Sequence, residues 1–175
     1  MTDDERLADP LGALDRLPAG SAVIVRRREP GAREATARAI LPECRRRGMR
    51  VLIADDADLA RRLGADGVHL PEAAVKRRPR RPFPDEPGWL VTAAAHSGAA
   101  LARAAGAGVD AVLLSPVFAT QSHPGDRVLG PLRFRALCRD AAVPVYALGG
   151  IDTAGLRRLR GSGAAGIAGI GIAGG

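Results

Sequence analysis

The amino-acid sequence predicts an α/β fold in which a parallel sheet is covered by helices. Short apolar runs alternate with Arg- and Ala-rich stretches of helical spacing, and one short sequence design occurs three times. The apolar runs show no polar alternation, which is typical of strands buried on both faces of a parallel sheet. From the pattern alone, both a (β/α) barrel and an open doubly wound sheet remain open.

Seven apolar runs have the length of strands. They cover residues 22–25, 51–54, 67–70, 90–94, 111–114, 144–148 and 165–170. Helical spacing is found between them at 32–47, 57–63, 97–105, 132–138 and 153–159. The segment 71–88 is rich in Pro and Arg and is predicted as a basic surface loop with at most a very short helix.

The repeated design begins with a Gly and leads directly into an apolar strand. Its three copies start at Gly64, Gly106 and Gly163. Each of these glycines is predicted to end a helix in the left-handed conformation.

Length and composition indicate a single domain over residues 1–175. The 46% apolar and 26% charged content excludes a disordered chain. The net charge is +7 and Lys76 is the only lysine, so the cations are almost all arginine. This charge indicates either solvated helix faces or a preference for anionic ligands.

Several classes of partner and location are not expected. The basic residues are not interleaved with aromatic side chains and there is no zinc-finger spacing, so we expect no nucleic-acid partner. The N-terminus is too polar for a signal peptide, and the longest apolar stretch is short and Gly-rich, so we expect no membrane span and a cytoplasmic protein. Cys44 and Cys138 are expected to be reduced thiols.

In parallel α/β folds the functional site lies at the carboxyl ends of the strands. The Gly149-Gly150 pair follows one strand and precedes a helix capped by Asp152 or Thr153, so it is either a phosphate-binding turn or a close-packing turn. The segment from Gly169 to Gly171 is a matching partner after the last strand.

Charged side chains follow other strands. Arg26 and Arg28 alternate along a strand end and are expected on one face, either as a diphosphate site or as a solvated basic end. Asp55 follows a buried strand and is either a single carboxylate ligand for Mg²⁺ or a helix N-cap. His69 is either functional or a hydrogen-bonded structural histidine.

Three stretches, 52–70, 114–122 and 144–151, together resemble the thiamin phosphate synthase family and its thiazole tautomerase relatives. The resemblance extends from about Ser21 to Gly171, with the motifs in the same order. It implies a TIM (β/α)8-type barrel. It also implies a transferase that joins a pyrimidine methyl diphosphate to a thiazole phosphate with loss of diphosphate, with Mg²⁺ as cofactor and small phosphorylated substrates as partners.

The resemblance assigns roles residue by residue. Arg26 and Arg28 match diphosphate-binding cations, and His69 matches the histidine of the Gly-Val-His-Leu strand; these three are the catalytic candidates. Asp55 matches a magnesium ligand. The residues that match the thiazole-phosphate site are Thr120, Ser122, Gly149, Gly150 and Gly171.

The departures from the family pattern are concentrated in the magnesium and diphosphate half of the site. The Asn before the magnesium Asp is Ala54, and the second metal-binding Asp is Ala74, with Glu72 as a candidate substitute. A strand Ser is Ala94, and a lysine is His123, which then shares the diphosphate load. The phosphate-binding Ser near the end is Gly171.

Three functions therefore remain open: a divergent synthase, a tautomerase-like isomerase, and a non-catalytic binder of phosphorylated ligands. The tautomerase branch often places a His where Pro116 stands. Family members open with a strand that runs into a Thr-Asp matching Thr2-Asp3. We therefore expect seven strands, without the first strand and the last helix, and exposed strand edges that favour homo-oligomers.

Overall fold

The computed structural model describes residues 1–2, 9–83, 85–120 and 127–170. These residues form seven strands, β1 to β7, and seven helices, α1 to α7. The strands are β1 Ala22–Val25, β2 Arg50–Ala54, β3 Gly67–Leu70, β4 Leu90–Ala95, β5 Ala111–Leu114, β6 Val145–Leu148 and β7 Gly166–Ala168. The helices are α1 Pro10–Leu14, α2 Pro30–Arg46, α3 Ala57–Arg62, α4 Glu72–Arg77, α5 Gly98–Gly106, α6 Gly130–Arg139 and α7 Thr153–Arg158.

The chain divides into two compact units, which are described separately. The first unit contains Met1–His69, Pro82–Leu90 and Ile170–Gly175, and the second contains Leu70–Arg81 and Val91–Gly169. The single-domain organisation over residues 1–175 stays a prediction.

In the first unit, β1, β2 and β3 pair in parallel, with Val23 opposite Val51 and Ile53 opposite Val68. These strand residues are buried, in keeping with their unbroken apolar sequence. Gly67 must be glycine, because a Cβ there would lie 1.9 Å from the backbone oxygen of Leu90.

Helix α2 covers part of this unit and buries Ala37, Ile40, Leu41 and Cys44. It begins where the Glu29 carboxylate accepts hydrogen bonds from the N–H groups of Gly31 and Ala32. This carboxylate satisfies amide groups that the helix itself leaves unpaired, and it holds the start of the helix directly after β1.

Thr2 lies beside β1. Its N–H group donates to the Ile24 oxygen at 2.8 Å, and the Arg26 N–H group donates to Thr2 Oγ1 at 2.8 Å. Thr2 is only 1% exposed. The residue predicted to match the end of a family strand is therefore hydrogen-bonded to the first strand that the structure describes.

In the second unit, β4 to β7 pair in parallel with their sequence neighbours. Its core contains Val91, Val112, Leu114, Phe134 and Ala147, all fully buried. Cys138 in this unit and Cys44 in the first are buried free thiols, as expected, and burial raises the pKa of each to about 11.

The predicted alternation of strands and helices is confirmed, with seven parallel strands in the described residues. Three details differ from the prediction. α1 was not predicted, and in the third repeat Gly163 is left-handed, with φ +83°, but does not end a helix, because α7 already ends at Arg158. In the second repeat Gly108 takes the left-handed conformation, with φ +78°, instead of Gly106. Helix α5 continues through Gly106, and the Ala107 N–H group still bonds to Arg103, so the turn falls two residues later.

The segment predicted as a basic loop begins with the six-residue helix α4. This agrees with the expectation that any helix there is very short. Within the ranges that the structure describes, none of the helices combines the length and apolar character needed to cross a bilayer.

Candidate functional site

Arg26 and Arg28 follow β1 in the first unit. The strand ends at Val25, so neither arginine belongs to it, and the expected alternation of the two side chains along a strand does not apply. Both residues are exposed. Hydrogen bonding of the Arg26 N–H group to Thr2 fixes the backbone at the point where the strand ends.

Asp55 directly follows β2 and has a left-handed backbone, with φ +56°. Its N–H group donates to the His69 oxygen at 2.9 Å, which ties the ends of β2 and β3 together. The N-cap of α3 is the next residue, because Asp56 Oδ1 accepts from the Leu59 N–H group at 2.8 Å. The capping role considered for Asp55 therefore belongs to Asp56, and the exposed Asp55 carboxylate is left to face solvent.

His69 lies in β3 and is only 6% exposed. Burial lowers its pKa to about 4, and the charges of Arg26 and the N-terminal amine add to this effect. A buried imidazole surrounded by cations loses its own positive charge. At neutral pH the His69 side chain is therefore uncharged, and no second positive charge is buried beside Arg26.

The described side chains offer Mg²⁺ few protein ligands. Among the described residues, no group of three or more His, Cys, Asp or Glu side chains is arranged to hold a metal ion. Mg²⁺ accepts a single protein carboxylate when phosphates and waters complete its shell. Asp55 fits that limited role, with an exposed oxygen donor at the end of β2.

In the second unit, Gly149 and Gly150 follow β6 with φ angles of +96° and +64°. A Cβ on Gly149 would lie 2.9 Å from Pro116 Cα, and one on Gly150 would lie 2.1 Å from the Ala119 oxygen. The pair is thus a close-packing turn against the segment after β5. Close packing does not use the Gly150 N–H group, which donates to none of the described residues.

Helix α7 follows this turn. Asp152 is its N-cap, as its Oδ1 accepts from the Gly155 N–H group at 2.6 Å. Phe118, in the segment after β5, packs against Gly155 and lies 5.1 Å below the Arg158 guanidinium. The loop after β5 and the start of α7 therefore hold each other in place.

The segment after β5 is also tied to the end of β6. The Val117 N–H group donates to the Leu148 oxygen at 2.9 Å, and the Phe118 N–H group donates to the Gly149 oxygen at 3.1 Å. Thr120, a candidate phosphate ligand, follows this segment and is half-buried. The structure thus places Thr120, Gly149 and Gly150 on two adjoining loops of one unit.

The other candidates fall elsewhere. Ser122, His123 and Gly171 lie outside the described residues. Glu72, considered as a substitute metal ligand, uses Oε2 to accept the His96 N–H group at 2.9 Å.

Sequence reasoning did not assign a role to His96. The His96 ring contacts Ser115. Its Nδ1 lies 2.9 Å from the Ser115 backbone oxygen and 3.2 Å from Ser115 Oγ. The sequence did contain a signal, since His96 directly follows β4 as Asp55 directly follows β2. A strand-end position alone, however, does not show which ring nitrogen is held.

Comparisons with known proteins agree on one family. A family model described as thiamine monophosphate synthase matches residues 2–172. A thiamine-phosphate synthase of Bacillus velezensis is 28% identical over 86% of this chain and 70% of its own length. One from Methanoculleus marisnigri is 38% identical over 69% of this chain and 57% of its own length. The chain also spans less than two thirds of its matched relatives from Aquifex aeolicus and Geobacter sulfurreducens.

Solved structures show the same fold. A thiamine phosphate pyrophosphorylase from Pyrococcus furiosus superposes with a TM-score of 0.75 at 22% identity, covering 98% of this chain and 85% of that protein. A structure described as native KDPGal has a TM-score of 0.62 at 19% identity, over 97% of this chain and 77% of its own. At these identities the likeness supports the predicted fold class only. Together with the family match over nearly the whole sequence, the strand-end motifs show that the chain belongs to the thiamine monophosphate synthase family.

Proposed function

We propose that this protein is a synthase-type transferase that joins a pyrimidine methyl diphosphate to a thiazole phosphate and releases diphosphate. The observation that carries the proposal is the pair of adjoining loops in the second unit. There Gly149 and Gly150 take left-handed conformations that only glycine adopts without strain, close to the segment that leads to Thr120. Ser122 and Gly171 belong to the same proposed thiazole-phosphate site.

Backbone N–H groups and hydroxyls are suitable ligands for a phosphate monoester. The Gly150 N–H group has no acceptor among the described residues, and Thr120 is half-buried on the neighbouring loop. A phosphate anchored at this turn would fix the thiazole so that its nitrogen is positioned for attack, which lowers the entropic part of the barrier.

The residues proposed to bind the diphosphate include Arg26 and Arg28. Arg26 and Arg28 are permanent cations, and His123 is proposed to share the diphosphate charge. As the C–O bond breaks, its electron pair moves to the diphosphate oxygen, and fixed positive charge stabilises that anion. The thiazole nitrogen then forms a bond to the methylene carbon.

Two further side chains complete the proposed site. Asp55 would hold Mg²⁺ through one carboxylate, and the ion would neutralise diphosphate charge when bound. His69 is neutral at physiological pH, because burial lowers its pKa to about 4, so it contributes shape and polarity without a charge. Ala74 stands at the position of the family's second metal-binding Asp, and Ala54 stands at the position of the family's Asn, so one expected metal ligand is missing.

We also propose a cytoplasmic location, small phosphorylated substrates as partners without nucleic acid or membrane, and self-association through exposed strand edges. The location and substrates follow from the biosynthetic chemistry of the family.

The test is an assay of purified, folded protein with both substrates and Mg²⁺, which should yield thiamin phosphate and diphosphate. Arg28→Gln should lower the rate by at least about 10-fold, as expected for loss of a charge contact to the leaving group. Arg38→Gln is the matched control, because Arg38 is exposed and pairs with Glu34 on α2. Thiazole phosphate binding by calorimetry without any turnover would instead identify a non-catalytic binder and contradict the synthase proposal.

A second candidate function is an isomerase of the tautomerase type, which moves a proton within a phosphate-bearing thiazole carboxylate. It is favoured by one observation, the exposed His96 imidazole held against Ser115 in the same unit as the proposed phosphate site. Such a reaction needs a proton-transferring group and an anchored phosphate, and it requires neither diphosphate nor Mg²⁺.

A further inference from the structure

His96 is fixed by three polar contacts at the end of β4. Its backbone N–H group donates to Glu72 Oε2 at 2.9 Å. Its ring nitrogen Nδ1 lies 2.9 Å from the Ser115 backbone oxygen and 3.2 Å from Ser115 Oγ. Both the backbone and the ring of His96 are thus held by residues that follow neighbouring strands.

The Ser115 contact decides which ring nitrogen carries the proton. A backbone carbonyl oxygen only accepts hydrogen bonds, so Nδ1 must be the donor at 2.9 Å. A neutral imidazole has one N–H group, and a proton on Nδ1 leaves the lone pair on Nε2. The Ser115 hydroxyl can rotate its own hydrogen away from Nδ1 and accept there as well.

Nε2 is open to a ligand. The side chain is exposed, and no described residue forms a hydrogen bond with Nε2. The Glu72 carboxylate already uses Oε2 to accept the hydrogen bond from the His96 backbone N–H group. The basic nitrogen therefore faces away from the atoms that hold the ring.

The same contacts connect His96 to the glycine turn. Ser115 is followed by Pro116, whose Cα lies 2.9 Å from the position that a Cβ on Gly149 would take. The next two residues are hydrogen-bonded to Leu148 and Gly149. His96, Ser115, Pro116 and Gly149 thus form one continuous set of contacts across the ends of β4, β5 and β6.

We propose that His96 is a catalytic proton-transferring residue, which uses Nε2 to move a proton within a phosphate-bearing substrate anchored at Gly149 and Gly150. This inference rests on the second candidate function. In the forward step, neutral Nε2 takes a proton from a ring carbon, and the electron pair of the broken C–H bond stays in the substrate. The Nε2 proton of the exposed imidazolium exchanges with solvent, and Nε2 then donates a proton to a different carbon, so substrate and product are isomers and no co-reactant is consumed.

The first test is independent of any substrate. ¹⁵N NMR of the full-length native protein distinguishes the two neutral tautomers of each histidine, and His96→Gln assigns the His96 signals among the three histidines. We expect the Nδ1–H tautomer for His96 above pH 8. A signal from the Nε2–H tautomer overturns the proposal.

The second test follows the chemistry. The probe is the thiazole carboxylate phosphate in D₂O. With the native protein present, we expect deuterium to be incorporated into the thiazole of this probe. His96→Gln should reduce it by at least about 100-fold, the range of general acid–base catalysis. Circular dichroism and thermal unfolding of His96→Gln check that the fold is preserved. Arg103→Gln, an exposed change on α5, should leave the exchange unchanged.

The outcomes separate the inference from the functions on which it rests. Exchange that survives in His96→Gln leaves the isomerase function standing and overturns the role of His96. Absence of exchange in the native protein contradicts the isomerase function and the role of His96 together. Thiamin phosphate formation, measured in parallel on the same samples, tests the synthase proposal separately from both.

Discussion

The Asp66 carboxylate accepts a 2.7 Å hydrogen bond from the Val51 N–H group, while the Asp66 N–H group donates to the Val51 oxygen at 2.8 Å. The same double exchange joins Asp110 to Val91, at 2.7 Å for both bonds. Each Asp lies just before a strand, and its side chain satisfies an amide on the preceding strand that has no ladder partner at that point. This pairing explains the Asp in the first two copies of the repeated sequence design.

Removing the Asp66 carboxylate should therefore destabilise the fold. Asp66→Ala leaves the buried Val51 N–H group without its acceptor, and we expect a loss of about 1–3 kcal/mol in the free energy of unfolding. Asp66→Asn keeps an oxygen at this position and should lose less than half as much. Urea unfolding measures both variants, and equal losses would show that the charge of Asp66 is what matters.

The third copy of the design has Ala165 at the Asp position. Its N–H group still donates to the Val145 oxygen at 2.8 Å, but it has no carboxylate for the Val145 N–H group. Ala165→Asp should stabilise the protein by about 1 kcal/mol, the typical net value of one hydrogen bond. Ala164→Asp, one residue away, is the control and should give no gain. A destabilised Ala165→Asp variant would contradict the equivalence of the three repeats.

Gly150 and Gly161 offer a matched pair of glycines. Their φ angles are +64° and +67°, but a Cβ on Gly150 would lie 2.1 Å from the Ala119 oxygen, whereas one on Gly161 meets nothing within 4 Å. Gly161→Ala should lose about 1 kcal/mol from backbone strain alone. Gly150→Ala should lose at least about 2 kcal/mol more, because overpacking adds to the strain. Thermal unfolding compares the two variants. Similar losses of stability would show that the segment around Gly150 shifts to accommodate the added methyl group, which would contradict the overpacking argument.

His69 should make the protein less stable in acid. Its pKa is about 4 in the folded protein and 6.5 when unfolded, so the unfolded chain binds the extra proton first as the pH falls. Its contribution is complete above pH 6.5 and is lost between pH 6.5 and 4. The loss amounts to at most about 3 kcal/mol, at 1.36 kcal/mol for each unit of pKa.

Urea unfolding at pH 7 and pH 4 measures this difference. His69→Gln, which does not titrate, should lose less stability on acidification than the native protein. NMR titration of the His69 ring in the native protein gives the pKa directly, and a value near 6.5 would contradict the burial argument.

The positions of the strands could be predicted because the apolar pattern of each strand lies within its own few residues. A strand buried on both faces must be apolar throughout, and four residues of Val, Ile, Leu or Ala between turn signals carry that information. Thus β1 and β5, which contain only Ala, Val, Ile and Leu, have the predicted bounds, and so does β3, although it contains Gly67 and His69. Helix α1 was missed because a five-residue helix has too few residues to show a period, although Asp9 before Pro10 is a typical helix start.

The positions of the candidate residues near strand ends could be predicted from the sequence, but their contacts could not. The rule that sites lie at strand ends located Arg26, Asp55 and Gly149. It did not distinguish Asp55 from Asp56 as the cap of α3, because the two differ only in backbone conformation. The contact between His96 and Ser115 joins loops that lie 19 residues apart in sequence, and it depends on packing that no local motif encodes.

The proposed synthase reaction can be tested directly in cells. The most direct measurement is growth without thiamin of a bacterial strain that lacks its own thiamin phosphate synthase and expresses this protein at a level checked by immunoblot. We expect growth with the native sequence and with Arg38→Gln, and little or no growth with Arg28→Gln at equal expression. Failure of the native, folded protein to support growth would contradict the synthase proposal.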